Sequence, residues 1–138
     1  MIILDTNVVS ETIKTNPEPR VLEWLNSQHS DTLFLSSITV AELSFGVAAL
    51  PEGQRKTALE QTIERTTELF KDRTLPFDQL AACHYGQLMA DARSQGHALS
   101  MADGCICAIA KAHNAIVASG DTGPFHATNT QVINPWIA

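Results

Sequence analysis

Ile2-Ile3-Leu4-Asp5-Thr6-Asn7-Val8-Val9-Ser10-Glu11-Thr12-Ile13 lies one residue in from the start of this 138-residue chain. Three apolar residues run together without alternation, and the spacing then turns helical at Val8, Val9, Thr12 and Ile13. A strand with one wet face alternates polar and apolar residues, whereas a strand covered on both faces reads as a continuous apolar run. The opening is therefore a short buried strand that ends at Asp5 and feeds directly into a helix. Parallel α/β sheets are built from that unit.

The unit recurs outward along the chain. After the break at Asn16-Pro17-Glu18-Pro19, Val21, Leu22, Trp24 and Leu25 mark a second amphipathic helix. Leu33-Phe34-Leu35 reads as a buried strand that stops at Ser36-Ser37, and Val40, Ala41, Leu43, Phe45, Val47 and Leu50 give the next helix its apolar face. Beyond Pro51-Glu52-Gly53, residues 54–71 scatter Ala58, Leu59, Ile63, Leu69 and Phe70 among charges, as a long helix partly open to water does. Arg73 to Phe77 reads as a short extended link. Asp78 caps a helix that runs up to Gly96, and Ser100 starts another that reaches His113-Asn114. Ala115-Ile116-Val117-Ala118 and Gln131-Val132-Ile133 are further buried strands. The expectation is an α/β fold, a parallel sheet of about five short strands with helices on both faces, in a single domain over residues 1–138.

Composition narrows the function. With 44% apolar and 17% charged residues the chain has the balance of a globular protein rather than a disordered one. Met1 to Leu4 is too short for a signal-peptide core, and no apolar run reaches the length of a membrane span, so a soluble cytoplasmic protein is expected. Cys83, Cys105 and Cys107 lack C-x-x-C spacing and point to neither a disulfide frame nor a thiolate zinc site. A formal charge of −6 argues against a generic polyanion binder, because nonspecific nucleic-acid affinity comes mainly from Lys and Arg. That objection weakens if several acids share one pocket that cations neutralise.

Four acids invite that reading, and each also has an ordinary one. Asp5 fits a helix N-cap. Thr39-Val40-Ala41-Glu42 fits a capping box, Ser100-Met101-Ala102-Asp103 its aspartate relative, and Gly120-Asp121-Thr122-Gly123 a plain turn. All four lie near a helix start or a strand end. In an open parallel sheet the carboxyl ends of the strands share one edge, and ligands bind there. Two carboxylates about 4 Å apart repel by about 4 kcal/mol at an effective dielectric near 20, so four gathered together need protons or cations. An all-oxygen set without neighbouring Cys or His favours Mg²⁺ or Mn²⁺, with the hydroxyls of Thr6 and Ser119 available to orient the carboxylates. Such a site suits metal-assisted phosphodiester hydrolysis. No other nucleophile is evident, since Ser44, His84, His97, His113 and His126 form no recognisable arrangement, and both the dinucleotide and the P-loop glycine patterns are missing.

The order of these acids resembles that of PIN-domain toxins of the VapC and FitB kind, from bacterial toxin–antitoxin pairs. The likeness runs through Leu4-Asp5-Thr6-Asn7-Val8-Val9-Ser10-Glu11, Leu35-Ser36-Ser37-Ile38-Thr39-Val40-Ala41-Glu42-Leu43 with Gly46, Leu75-Pro76-Phe77-Asp78, Ala102-Asp103-Gly104-Cys105-Ile106 and Asn134-Pro135-Trp136. It implies that Asp5, Glu42, Asp103 and Asp121 form the catalytic, metal-binding quartet, with Asp5 and Asp103 as direct ligands and Glu42 and Asp121 acting through water. It also implies cleavage of tRNA or rRNA, a homodimer, and a cognate antitoxin that covers the site and carries the toxin onto operator DNA. One departure stands out: the family commonly has Thr-Arg before the fourth acid, where this chain has Ser119-Gly120. The loss of that cation motivates an alternative, a noncatalytic PIN module serving only in a repressor complex, and leaves Lys14, Arg20 or a dimer partner to supply the basic contact. A phosphorylation receiver, the other rival, needs adjacent acids after its first strand and finds only Asp5.

Overall fold

The computed structural model describes residues 1–138 throughout. Five strands, β1 (Ile2–Leu4), β2 (Leu33–Ser36), β3 (Thr74–Leu75), β4 (Ile116–Ala118) and β5 (Val132–Ile133), form one sheet in the order β3-β2-β1-β4-β5. Every pairing is parallel, with Ile3 opposite Phe34 on one side and Val117 on the other. The link expected over residues 73–77 is thus partly the edge strand β3, entered through a 3₁₀ turn at Lys71–Arg73. Arg73 holds that entry by donating to the carbonyl of Leu33 at 2.9 Å.

Seven helices surround the sheet: α1 (Thr6–Thr12), α2 (Pro19–Ser27), α3 (Ser37–Ala48), α4 (Gln54–Leu69), α5 (Gln79–Ser94), α6 (Met101–His113) and α7 (Gly123–Ala127). The period of two along the strands separates two cores. Ile3 and Val117 face a cluster with Leu88, Ile106, Ile109 and Phe125 beneath α5, α6 and α7. Leu4, Leu35 and Ala118 face the opposite cluster, with Val8, Val21, Leu43 and Ile63 from α1 to α4. No helix is long and apolar enough to cross a membrane.

Two glycines shape the path of the helices, one by close packing and one by its backbone conformation. On α6, a Cβ at Gly104 would meet Met89 Sδ at 2.6 Å and Tyr85 Cε2 at 2.9 Å, so the bare backbone lets α6 lie tightly against α5. That contact fixes the first turn of α6. Gly53 has φ +154°, a conformation open to glycine, and turns the chain from α3 into α4.

Candidate metal centre

The chain runs outward from β1 through β2 to β3 and returns on the other side as β4 and β5, so the sheet reverses its order between β1 and β4. A crevice opens at the carboxyl ends of the strands at such a point. Asp5 follows β1 and Ser119-Gly120-Asp121 follows β4, in a register that pairs Leu4 with Ala118.

Asp5 is buried and fully engaged. Its Oδ1 accepts the N–H of Thr6 at 2.8 Å, and its Oδ2 accepts from Ser119 Oγ at 2.7 Å and Asn7 Nδ2 at 3.3 Å. Burial raises its pKa most; the Ser119 and Thr6 hydrogen bonds oppose this, and the charges of Asp103 and Glu42 push upward again. Asp103 is also raised, first by desolvation and then, against the Ser100 hydrogen bond, by the charges of Asp121 and Glu42. Of the four acids anticipated from sequence, Asp5 is thus within electrostatic reach of Asp103 and Glu42, and Asp103 within reach of Glu42 and Asp121.

Local sequence explains each placement. Ser100 caps α6 by accepting the N–H of Asp103 at 3.1 Å, which fixes Asp103 on the first turn. Asp121 N–H donates to Ser119 Oγ at 3.0 Å, closing a tight turn that leaves the Asp121 side chain exposed. The capping box expected at Thr39 and Glu42 does not form. Ser36 caps α3 instead, accepting the N–H of Thr39 at 3.1 Å, because the strand ends one residue before the helix starts. Glu42 consequently sits one turn further in, exposed on the helix surface, where its Oε1 accepts from Thr6 Oγ1 at 2.7 Å. Thr6 and Ser119 thus serve different acids: Ser119 holds Asp5, and the Thr6 hydroxyl holds Glu42.

Asn7 clamps the two halves of the crevice and was singled out by nothing in its own local pattern. Its amide nitrogen donates to Ser119 Oγ at 3.1 Å, and its amide oxygen accepts the N–H of Gly120 at 3.1 Å. Glu11, also buried, lies away from the acids; it accepts from Lys14 Nζ at 2.8 Å and from the N–H of Glu18 at 3.0 Å. Those bonds hold its pKa below the usual range, Lys14 first. Lys14 is therefore committed to Glu11, and Arg20 to the carbonyl of Trp136 at 3.5 Å. Arg55 has no carboxylate partner and lines a cavity of about 220 Å³ together with Thr6 and Glu42. The missing residue-120 arginine also finds its physical reason, since the ring of Trp136 fills the space beside Gly120.

No ion pair neutralises Asp5, Glu42, Asp103 or Asp121; the three salt bridges of the chain lie at Glu11, Glu52 and Glu68. Nor do three acidic, histidine or cysteine side chains converge into a ready cage. Uncompensated carboxylates such as Asp5 and Asp103, both raised by burial and by neighbouring negative charge, fit a hard cation, and Mg²⁺ in particular keeps most of its waters and needs only one or two direct carboxylates.

Comparison with known proteins agrees with this architecture. The sequence model of the PIN domain matches residues 2–130. The "VapC ribonuclease Y4jK" of Sinorhizobium fredii is 47% identical over 99% of this chain and 98% of its own. "Toxin FitB" of Neisseria gonorrhoeae is 45% identical, covering 99% of each. The solved structure described as "FitAB bound to IR36 DNA fragment" superposes with a TM-score of 0.94 at 44% identity, over 99% of this chain and 96% of that one. The strand order, the acids at the sheet's reversal and the end-to-end match lead to one assignment: this chain belongs to the PIN-domain family.

Proposed function

We propose that this protein is a metal-dependent endoribonuclease, the toxin of a toxin–antitoxin pair, hydrolysing phosphodiester bonds of tRNA or rRNA in the cytoplasm. The observation that carries the reading is the electrostatic proximity of Asp5 to Asp103 and Glu42, and of Asp103 to Glu42 and Asp121, without a cationic partner, at the reversal point of a parallel sheet. The names of the relatives, a ribonuclease and a toxin, support it.

Asp5 and Asp103 would hold the Mg²⁺ or Mn²⁺, and Glu42 and Asp121 would contact it through water. Such an ion, when bound, supplies an activated water and positive charge for the oxygens of the in-line transition state. Ser119, Asn7 and the Thr6 N–H keep both Asp5 oxygens oriented, which limits the reorganisation needed during reaction. Thr6 holds Glu42 at the mouth of the crevice as an acceptor for water. Arg55, which lines the cavity that Thr6 and Glu42 share, would meet a phosphate from the Glu42 side of the site.

The partner we assign is a cognate antitoxin that covers the acids and itself binds operator DNA, a reading favoured by the DNA-bound neighbour structure; the toxin would act as a homodimer. Gly120 favours a second reading, a noncatalytic module of the repressor complex, because the turn before Asp121 carries no cation. The deciding experiment is cleavage of total bacterial RNA by the purified protein, stripped of any copurifying partner, with Mg²⁺ or Mn²⁺ and with EDTA. Discrete metal-dependent cuts that vanish in a folded Asp5→Asn variant are expected. Metal binding without cuts would establish the noncatalytic module, and cuts that persist in Asp5→Asn would remove Asp5 from the chemistry.

A further inference from the structure

A line of oxygens runs from the buried end of β2 to the exposed mouth of the crevice. Ser36 Oγ lies 3.4 Å from Thr39 Oγ1, Thr39 Oγ1 lies 3.1 Å from Thr6 Oγ1, and Thr6 Oγ1 lies 2.7 Å from Glu42 Oε1. Ser36 and Thr39 are both 0% exposed, so water does not compete for these hydroxyls.

Thr6 Oγ1 is the donor toward both Glu42 Oε1 and Thr39 Oγ1, with the shorter contact to the carboxylate, and Ser36 Oγ donates to Thr39 Oγ1 while accepting the N–H of Thr39 at 3.1 Å. Thr39 Oγ1, itself fixed by Ser36, anchors the Thr6 hydroxyl from beneath and so keeps it under Glu42. An exposed glutamate one turn into a helix ordinarily samples several rotamers. Here its carboxylate is tethered from beneath.

We infer that Thr39 is a positioning residue for Glu42, acting through Thr6 without touching the reaction itself. The inference rests on the proposed metal site. Thr39 is buried against β2 and makes no contact with Glu42 through a capping box, so its hydroxyl has this one task besides its bond with Ser36.

The test compares Thr39→Val, which keeps the side-chain shape and removes the hydroxyl, with Thr39→Ser, which keeps the hydroxyl. Mn²⁺ affinity is measured by calorimetry and RNA cleavage by single-turnover rate. Partners behind a metal ligand typically contribute 10–100-fold, so Thr39→Val is expected to weaken both by about tenfold, with Thr39→Ser restoring them to about twofold of wild type. In a Glu42→Gln background the same Thr39→Val change should have no further effect on Mn²⁺ affinity. A readout free of both metal and RNA is the Thr6 hydroxyl proton, expected by NMR as a slowly exchanging resonance in the EDTA-treated protein and lost in Thr39→Val. Unchanged Mn²⁺ affinity in Thr39→Val, or an equal loss in the Glu42→Gln background, overturns the inference. If Thr39→Val does not fold, Thr39→Ala carries the same comparison. If wild type cuts no RNA, the nuclease reading fails, while the hydroxyl resonance and the Mn²⁺ titration still decide the role of Thr39.

Discussion

The ring of Trp136 stands where a side chain on Gly120 would have to go: a Cβ there would fall 2.8 Å from Cζ3 and 2.9 Å from Cε3. The indole is not a flexible tail that can swing aside at little cost, because it packs against the core beneath α1 to α4, and its backbone is held by the bond from the Trp136 main-chain N–H to Asn134 Oδ1 at 3.0 Å, beside buried Pro135. Gly120→Ala is therefore expected to destabilise the protein by about 1–3 kcal/mol, the usual scale of overpacking. In a Trp136→Leu background the penalty should fall to less than half. Urea denaturation of the four proteins checks this, and equal penalties in both backgrounds would mean that the ring is not the obstacle.

Replacing Asp5 separates folding from chemistry. Asp5→Asn should lower RNA cleavage by two to three orders of magnitude, the scale for deleting one transition-state-stabilising group. Its effect on the EDTA-treated protein has the opposite sign. Burial, with the charges of Asp103 and Glu42, raises the native pKa above the ordinary value of 3.8, so between the two values the folded state binds more protons than the unfolded one. Stability then falls as pH rises through that window, and the cost is fully present above it. Asn does not ionise, so the melting temperature of Asp5→Asn should gain on wild type as pH rises through the same window and level off beyond it. Saturating Mn²⁺ at about a hundredfold over Kd should return about 2.7 kcal/mol to wild type alone. Melting curves from pH 4 to 8, with EDTA and with Mn²⁺, contain both comparisons.

Ser119→Ala removes one oxygen that serves three neighbours: it donates to Asp5 and accepts from Asn7 and from the N–H of Asp121. Mn²⁺ affinity and cleavage should fall by about 10–100-fold. Because the Ser119 bond lowers the Asp5 pKa, its loss should raise that pKa further, which NMR titration of a ¹³C-labelled Asp5 carboxyl can follow. Ser119→Thr, retaining the hydroxyl, should preserve most of both properties.

Arg55 offers a contact to phosphate that leaves the acids untouched. Arg55→Ala is expected to raise the KM for RNA and to leave single-turnover cleavage at saturation within about twofold. The slope of log affinity against log salt, measured with Asp5→Asn as the binding-competent background, should become shallower by about 1. An unchanged slope would free Arg55 from any role in RNA binding.

The strands and the acids were legible because both depend on short local patterns. Ile2-Ile3-Leu4 and Ile116-Val117-Ala118 are apolar runs, and Asp5, Asp103 and Asp121 stand at strand ends or helix starts. What escaped was long-range or too short. The α7 helix spans only Gly123–Ala127, less than two turns, and shows no period. Thr39 looked like a cap for its own helix, yet Ser36 takes that role and the hydroxyl partner of Thr39 lies 33 residues away. Asn7 meets Ser119 across 112 residues. Gly120 read as a lost cation, since nothing near it in sequence announces the indole that comes to rest there.

The reversal of the sheet between β1 and β4 has a consequence for synthesis. Asp5 and Glu42 emerge early from the ribosome, but Ser119 follows Asp5 by 114 residues, and β4 must slot beside β1 before the carboxylates meet. A nascent or truncated chain therefore carries no working centre, and neither would either piece of a protein cut at the exposed Pro51-Glu52-Gly53 bend. One piece would hold Asp5 and Glu42, the other Asp103 and Asp121. Assembly of the crevice is in this sense withheld until β4 has been synthesised, and a split at that bend would make it conditional on two pieces being expressed together.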